Sequence, residues 1–258
     1  ALALTDEGRP GPTLVDLPKN TTLAETDSEP GPAKAPENAR AQYIADTEAV
    51  EEAAAKITAA DRPILLFGGG VIKANASPVA RSFAQEYEIP VVTTMPGIGS
   101  FPENHELSLS WAGMHGTGYA NMAITHTDLL IGVGTRFDDR LTGGVDTFAP
   151  EAEIIHIDID PAEISKNVHA DYPLIGDATR VIEQLDDAID QKPNTDEWQA
   201  QCQAWKQAYP MDYATPEDEP VKPQFVVEVL DEATSDEAIV TTGVGQHQMW
   251  ASQYWTYT

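Results

Sequence analysis

Short apolar runs alternate with longer amphipathic segments through the middle of the chain. Each run has the length of one buried strand, and most end in glycine or in charged residues. The runs are Ile64–Phe67, Ile89–Thr94, Leu129–Ile131, Glu153–Ile159 and Leu174–Asp177. Helical patterns fill the intervals over residues 39–60 and 76–88, in a segment ending at His126, and over 178–189. Strands that alternate with helices over residues 39–190 predict an α/β fold with a doubly wound, mostly parallel sheet.

One helix start has a recognisable signal. Ser77 is the expected N-cap of the helix at 76–88, because its hydroxyl can accept from the first turn. Pro78 follows it, where the missing amide hydrogen costs nothing.

The N-terminal segment is predicted to be the end of another α/β domain. Residues 1–20 contain a short strand, Thr13–Leu17, which Pro18 ends. Residues 21–38 are rich in proline and acidic residues, which is typical of an extended linker. The first domain is therefore expected to begin before this chain does.

The C-terminal segment is predicted to begin a third domain. A second linker covers residues 191–222 and includes a short helix at 198–208. The third domain is expected from residue 223 to 258, and to continue beyond it. Its predicted elements are a helix over 224–231, a strand over 238–242 and a helix opening at Gln246.

The charge is unusual, with 42 acidic residues against 15 basic ones and a net charge of −27. This balance argues against nucleic acid as a partner, because a nucleic-acid binder needs a basic face. No apolar run approaches the roughly 20 residues that span a bilayer, and no signal peptide is visible. The single cysteine, Cys202, excludes an internal disulfide and a cysteine metal cluster, which fits a reducing cytoplasm. The acidity fits a folded protein from a salt-rich cytoplasm.

The stretch Asp128–Gly144 has the most distinctive chemistry. A buried strand runs into Gly132 and Gly134, and four charged residues follow: Arg136, Asp138, Asp139 and Arg140. Ligands of open α/β sheets bind at the carboxyl ends of strands, where two arginines could grip a phosphate or carboxylate. The alternative is a solvated loop with Arg136–Asp139 and Asp138–Arg140 ion pairs. The glycines and the strand favour the binding site.

Glycine also ends two other predicted strands, at Gly68–Gly70 and at Gly243–Gly245. None of the three turns is a complete dinucleotide fingerprint. The two central turns are expected at one edge of the sheet, where their amides could hold a pyrophosphate and Asp158 a ribose hydroxyl. Capping of the loop before Pro161 explains Asp158 equally well.

Two histidine motifs remain ambiguous. Met114 and His115 lie between two glycines, and no neighbouring residues have the spacing of metal ligands. The run Gln246–Gln248 has no adjacent nucleophile. Its polar groups fit either a phosphate site at a helix N-terminus or ordinary helix-start polarity.

Taken together, these phrases resemble the catalytic subunits of acetohydroxyacid synthase (acetolactate synthase), a thiamine-diphosphate family. The matching phrases occur in the family's order across nearly the whole chain. They are Gly11–Pro18, Gly68–Gly70, Gly113–Thr117, Arg136–Arg140, His156–Asp160 and Thr241–Trp250.

The resemblance implies a three-domain subunit that uses thiamine diphosphate, Mg²⁺ and FAD. Pyruvate would be decarboxylated and its two-carbon unit joined to a second 2-keto acid, pyruvate or 2-ketobutyrate, on the route to branched-chain amino acids. The FAD would do no net redox chemistry. A homodimer or tetramer with a small regulatory subunit is also implied.

The resemblance assigns the domains and the site residues. Residues 1–20 would end the pyrimidine-binding domain, 39–190 would form the FAD domain, and 223–258 would begin the pyrophosphate-binding domain. The implied FAD contacts are Gly68, Gly69, Gly70, Thr93, Gly113, Met114, His115, Gly134, Arg136, Asp138, Asp158, Gly176 and Asp177. Arg140, Met114 and Asp139 would face the second keto acid, and Val244, Gly245, Gln246 and His247 would begin the thiamine-diphosphate site.

Some features depart from the family pattern. The activating glutamate and the Gly-Asp-Gly magnesium motif are expected outside this chain, which would leave it without a catalytic or metal residue. Trp111-Ala112 replaces the more usual Met-Leu before the Gly-Met-His-Gly phrase. The alternatives are another enzyme of the superfamily (glyoxylate carboligase, oxalyl-CoA decarboxylase or pyruvate oxidase type) or a nucleotide-binding module without catalysis.

The net charge predicts that salt stabilises the fold. We expect the melting temperature to rise from 0.01 M to 1 M NaCl, because the Debye length shrinks from about 30 Å to about 3 Å and screens the repulsion between carboxylates. Thermal unfolding across this range measures the effect, with sucrose as the control for solute exclusion. A flat or falling melting temperature would contradict the prediction.

Overall fold

A computed structural model describes residues 5, 8–29, 31, 43–214, 220–235 and 237–258. Within them, six parallel strands form one sheet in the order β3-β2-β1-β4-β5-β6. The strands are β1 (Pro63–Phe67), β2 (Val91–Thr93), β3 (Ser108–Trp111), β4 (Leu129–Val133), β5 (Glu153–Asp158) and β6 (Tyr172–Ile175). The predicted doubly wound α/β fold is confirmed. From β1 the chain adds strands toward one edge of the sheet, and from β4 it adds them toward the other edge. Sheets of this kind bind ligands where the strand order reverses, which here is between β1 and β4.

Helices cover both faces of this sheet, and others precede β1 or follow β6 in the chain. They are α1 (Lys19–Thr22), α2 (Thr47–Ala59), α3 (Gly69–Lys73), α4 (Ser77–Glu86), α5 (Gly118–His126), α6 (Asp139–Thr142), α7 (Ala178–Ala188), α8 (Asp196–Ala208), α9 (Pro223–Ala233) and α10 (Gln246–Tyr254). Two 3₁₀ turns cover Met95–Gly97 and Val145–Thr147.

Two hydrophobic cores enclose the sheet. Successive residues of a strand point to opposite faces. Leu65 and Phe67 of β1 accordingly join the core under α2, α4 and α7, while Ile64 and Leu66 join the core under α5 and α8. Every residue of β1 and β4 is buried, which explains why these strands are continuous apolar runs instead of alternating ones.

Helix α8 lies in the stretch predicted as the second linker, and it completes the second core. Trp198 and Cys202 are buried there, and the indole Nε1 of Trp198 donates to the carbonyl of Pro63 over 3.0 Å. Burial raises the pKa of the Cys202 thiol to about 12, so this cysteine is a packing residue with little thiolate character.

Polar side chains cap several helices of the central sheet. Asp46 accepts from the amides of Glu48 and Ala49 at the start of α2.

The prediction that Ser77 caps α4 is wrong. Ser77 is already helical, and Ala76 takes the cap position without a side-chain bond. The chain reaches α4 through a tight turn in which the amide of Ala76 donates to Val71, and this leaves no extended residue to act as a cap.

Two predicted strands in the flanks are also wrong. Residues 13–17 and 238–242 form no β-ladder, and their side chains are exposed, with Leu14 89% and Ile239 91% accessible. An apolar run becomes a strand only when a partner strand takes its backbone hydrogen bonds. The described residues offer no such partner to either segment.

Other helix and strand boundaries differ from the sequence predictions. Helix α2 begins at Thr47, and residues 39–42 of its predicted start lie outside the described part of the chain. Strand β3 was not predicted, because its Ser-Leu-Ser-Trp sequence is short and half polar. The C-terminal helices were predicted closely, and α10 opens at Gln246 as expected.

Candidate functional site

A cavity of about 860 Å³ opens at the carboxyl edge of the sheet, next to the point where the winding reverses. Its walls come from the turns after the strands. Gly8, Arg9 and Pro10 add one wall from the N-terminal segment, and Val244, Gln248 and Met249 add another from the start of α10. Segments far apart in the sequence therefore share one cavity.

Most of the residues implied by the resemblance line this cavity. They are Gly69, Gly70, Met114, His115, Gly134, Arg136, Asp138, Arg140, Asp158, Gly176, Asp177 and Val244. Others lie outside its lining. They are Gly68, Thr93, Gly113, Asp139, Gly245, Gln246 and His247.

The turns after β1 and β4 touch through glycine. A Cβ on Gly70 would lie 2.5 Å from the Cα of Gly134, and a Cβ on Gly68 would collide with the Gly134 carbonyl oxygen. The amides of Gly68, Gly70 and Gly134 donate to the carbonyls of Val133, Gly134 and Ile157. These three amides therefore already bind backbone oxygens, and the expectation that amides of these turns hold a pyrophosphate stays a prediction for the others, such as that of Gly69.

The charged loop after β4 is ordered by local contacts. Asp138 caps α6 by accepting from the amide of Leu141, and its other oxygen lies 3.6 Å from Nη2 of Arg136. The predicted alternative pairs, Arg136–Asp139 and Asp138–Arg140, are not the pair that forms. Arg136 and Arg140 both keep exposed guanidinium groups at the cavity.

His156 of β5 contacts the loop after β4 through the carbonyl of Thr135, and this role was not predicted from the sequence. Its Nε2 lies 2.8 Å from the carbonyl of Thr135, so this nitrogen carries the proton. Burial lowers the pKa of His156 and keeps the ring neutral. The ring packs edge-on against Phe137, whose own ring fills the space above Gly132.

The loop Gly113–Gly116 borders the cavity beside Arg140. The amide group of Asn121 binds both sides of Gly113, accepting from its N–H over 2.9 Å and donating to its carbonyl over 3.0 Å. The amide of Met114 donates to the Arg140 carbonyl over 2.9 Å, and the Met114 sulfur lies 3.7 Å from Nη1 of Arg140. Gly113 has φ +118°, and a Cβ there would lie 2.5 Å from the Arg140 carbonyl oxygen.

Both interpretations of Asp158 have support. One carboxylate oxygen accepts from the amide of Asp160 over 2.9 Å, which is the predicted loop cap. The residue also lines the cavity, and burial raises its pKa. Asp177 is similar, since it caps α7 through Thr179 and Arg180 while lining the cavity.

The cavity is locally basic in an acidic protein. Four of the 15 basic residues line it, but only three of the 42 acidic ones. The basic residues are Arg9, Lys73, Arg136 and Arg140. The lining therefore carries one more basic than acidic residue in a protein rich in carboxylates, and a local excess of this sign favours an anionic ligand.

Arg9 was not predicted as a site residue. It lines the cavity and donates to Asp160 over 3.2 Å and to the buried Glu163 over 2.6 Å. Its partners are more than 150 residues away in the sequence, so no local pattern could have revealed them.

Three side-chain polar atoms near the ends of β2 and β3 are buried and have no hydrogen-bond partner within the described part of the chain. They are the hydroxyls of Thr93 and Thr94 and the indole Nε1 of Trp111. Thr94 and Trp111 line the cavity. Unpaired buried polar groups are uncommon, and a ligand's polar atoms are one way to satisfy them.

Helix α10 begins without a side-chain cap. Gly245 takes the cap position, and Val244 is 93% accessible. A helix start of this kind, approached by glycines, suits an anion.

The described residues hold no group of three or more His, Cys, Asp or Glu positioned for a metal ion. None of their helices is long and apolar enough to cross a membrane.

Residues 50–185 match the model of the thiamine pyrophosphate enzyme central domain. The match covers just over half of the 258 residues, and the chain belongs to this family. The acetolactate synthase large subunit of Corynebacterium glutamicum is 45% identical over 257 residues, which are 98% of this chain and 41% of that protein.

Two further relatives come from other kingdoms of life. The probable acetolactate synthase large subunit of Methanocaldococcus jannaschii is 44% identical over 98% of this chain and 45% of its own length. Acetolactate synthase 1, chloroplastic, of Zea mays is 41% identical over the whole chain and 41% of its own length. The chain thus spans less than half the length of these relatives.

The contact between the two glycine turns predicts that any side chain introduced at these glycines lowers the stability of the fold. We expect Gly70→Ala to lower the free energy of unfolding by about 1–3 kcal/mol, because the backbone of Gly134 must move to make room. Gly11→Ala is the matched control, since nothing lies within 4 Å of its Cβ position, and it should change stability by less than about 0.5 kcal/mol. Urea unfolding measures both, and equal effects would contradict the packing argument.

The buried carboxylate beside the cavity predicts a pH-dependent loss of stability. Burial favours the neutral form of Glu163, but hydrogen bonds from Arg9 and Lys166 outweigh it and hold its pKa below the usual 4.5. Its contribution is therefore present above pH 4.5 and is lost as the pH falls through the lowered pKa. We expect Glu163→Gln to cost about 1–2 kcal/mol at pH 7.

The difference between Glu163→Gln and wild type should shrink as the wild-type carboxyl is protonated. Urea unfolding at pH 7 and below pH 4 measures it. Glu183→Gln removes an exposed pair with Arg180 and should have little effect at either pH. An equal loss for Glu163→Gln at both pH values would overturn the ion-pair explanation.

Proposed function

We propose that this chain is the central part of an acetolactate synthase large subunit. One observation carries the proposal: a single cavity brings the flavin-motif residues, the Met114–Arg140 pair and the start of α10 together. Similarity to acetolactate synthases along the whole chain supports it. The reaction would join the two-carbon unit of pyruvate to a second 2-keto acid, pyruvate or 2-ketobutyrate.

The cavity fits FAD. Its volume of about 860 Å³ lies within the range of cofactor sites. Ala112, Leu141 and Ile157 offer apolar walls for a ring system, and the exposed guanidinium group of Arg136 offers charge to a pyrophosphate. The unpaired hydroxyl of Thr94 supplies a further polar group.

The start of α10 fits the phosphate end of thiamine diphosphate. Its uncapped first turn and the glycines before it leave room for an anion beside Gln246 and His247. When bound, thiamine diphosphate supplies the electron sink for decarboxylation and carbon–carbon bond formation. The described residues offer no site for the Mg²⁺ ion, so we assign it no ligand here.

This chain's own residues bind and orient the second substrate. Arg140 presents an exposed guanidinium group at the cavity, and Met114 lies against it. The arginine would hold the carboxylate of the keto acid, while Met114 would pack against its alkyl group. Asp139 is exposed outside the lining, and nothing in the structure supports a substrate contact for it.

The expectations about domains, assembly and cellular location belong to the same proposal. We propose the domain division at residues 1–20, 39–190 and 223–258, a homodimer or tetramer with a small regulatory subunit, and a cytoplasmic location. The "large subunit" in the names of relatives supports a regulatory partner. The acidic composition supports an origin in a salt-rich cytoplasm.

The activity test compares this chain with a version extended to the length of its relatives. With thiamine diphosphate, Mg²⁺ and FAD, the extended protein should form acetolactate from pyruvate. The 258-residue chain alone should form none, because the activating glutamate and the metal motif are expected outside it. Turnover of glyoxylate or oxalyl-CoA instead of pyruvate by the extended protein would move the assignment to another enzyme of the superfamily.

Two arginine variants test whether Arg136 binds FAD and Arg140 binds the second keto acid. In the extended protein, Arg140→Ala should retain FAD and lose about ten- to a hundredfold in turnover, since a charged hydrogen bond contributes roughly 1.5–3 kcal/mol. Arg136→Ala should weaken FAD retention. The carbonyl of Arg136 accepts from Asn167 after β5, whereas Arg140 contacts Met114.

Flavin titration and initial rates distinguish the two variants. Arg180→Ala, which removes an exposed arginine outside the cavity, is the control and should change neither. Loss of FAD in Arg140→Ala with retention in Arg136→Ala would reverse the assignment.

A further inference from the structure

The loop Gly113–Gly116 contacts three different parts of the molecule. Asn121 of α5 holds Gly113 through two hydrogen bonds, and the carbonyl of Arg140 accepts from Met114. The third contact comes from α10, where Nε2 of Gln253 donates to the carbonyl of His115 over 2.7 Å. Two contacts fix the loop within the central domain, and the third joins it to α10.

Helix α10 is anchored to the central domain at its C-terminal end. The amide of Glu103 donates to the carbonyl of Tyr257 over 2.8 Å, and the amide of Tyr257 donates to the Glu103 carboxylate over 3.1 Å. Gln253 is the next contact toward the helix start, where the exposed glycine turn lies. Gln253 therefore contributes, together with the packing of α10 on α9, to the position of that turn relative to Met114.

We propose that Gln253 is a positioning residue that couples the two cofactor sites through the His115 carbonyl. This inference rests on the proposed function, which places FAD beside Met114 and His115 and thiamine diphosphate at the start of α10. An anion bound at the helix start fixes α10 and, through Gln253, the loop that faces the flavin. The coupling is reciprocal, so each cofactor tightens the binding of the other by the same factor.

The experiment measures flavin affinity in the extended protein, with and without thiamine diphosphate and Mg²⁺. We expect thiamine diphosphate to tighten FAD binding by about fivefold or more in the wild type, the value of one net hydrogen bond. Gln253→Met keeps the size of the side chain but removes the donor, and it should bring the ratio of the two dissociation constants close to one. Gln253→Lys restores a donor and should restore the ratio.

Gln203→Met is the matched control. Gln203 also donates through Nε2 to a backbone carbonyl, that of Glu106 over 2.6 Å, at a place remote from the cavity. It should leave the ratio unchanged. A purely structural role for Gln253 would weaken the binding of FAD by the same factor in both conditions, and that result would overturn the inference.

The outcomes separate this inference from the proposed function. A wild type that binds no flavin would overturn both. A wild type that binds both cofactors without coupling, or a coupling that persists in Gln253→Met, would overturn the inference alone. If Gln253→Met fails to fold, Gln253→Glu gives a second variant without a donor and with the same expected result.

Discussion

The contact between the turns after β1 and β4 is the constraint on which the site depends. Gly68 and Gly70 meet Gly134 backbone to backbone, and their amides are used in that contact. Because the two turns close against each other, the loop after Gly134 leaves the sheet in a fixed direction and carries Arg136 and Arg140 to the cavity. The glycines therefore shape the site, and the amides of Gly68, Gly70 and Gly134 are used in holding the two turns.

The electrostatics of the site follow from this geometry. Three amides of the glycine turns are occupied, and four basic residues gather at the cavity in a chain of net charge −27. An anion approaching from a distance meets a repulsive field. Short-range contacts with the exposed Arg136 and Arg140 can offset this repulsion, and salt that screens the distant carboxylates reduces it.

The central domain could be predicted from the sequence because its strands are buried on both faces and so appear as apolar runs. The flanks could not, since residues 13–17 and 238–242 look like strands but have no partner within the described residues. The charged loop was recognised from its own sequence. The roles of Arg9, Asn121 and His156 depend on contacts made only in the folded chain, and Arg9 reaches Glu163 across 154 positions.

The departure at Trp111-Ala112 is also explained by the folded structure. Both residues are buried, and both line the cavity at the end of β3. A larger side chain beside a smaller one keeps the combined volume close to that of Met-Leu, and cores tolerate exchanges that conserve volume. The exchange also replaces an apolar side chain by one with an N–H donor, whose indole nitrogen has no partner among the described residues. The pair therefore keeps the volume of this wall of the cavity and adds one polar N–H group to it.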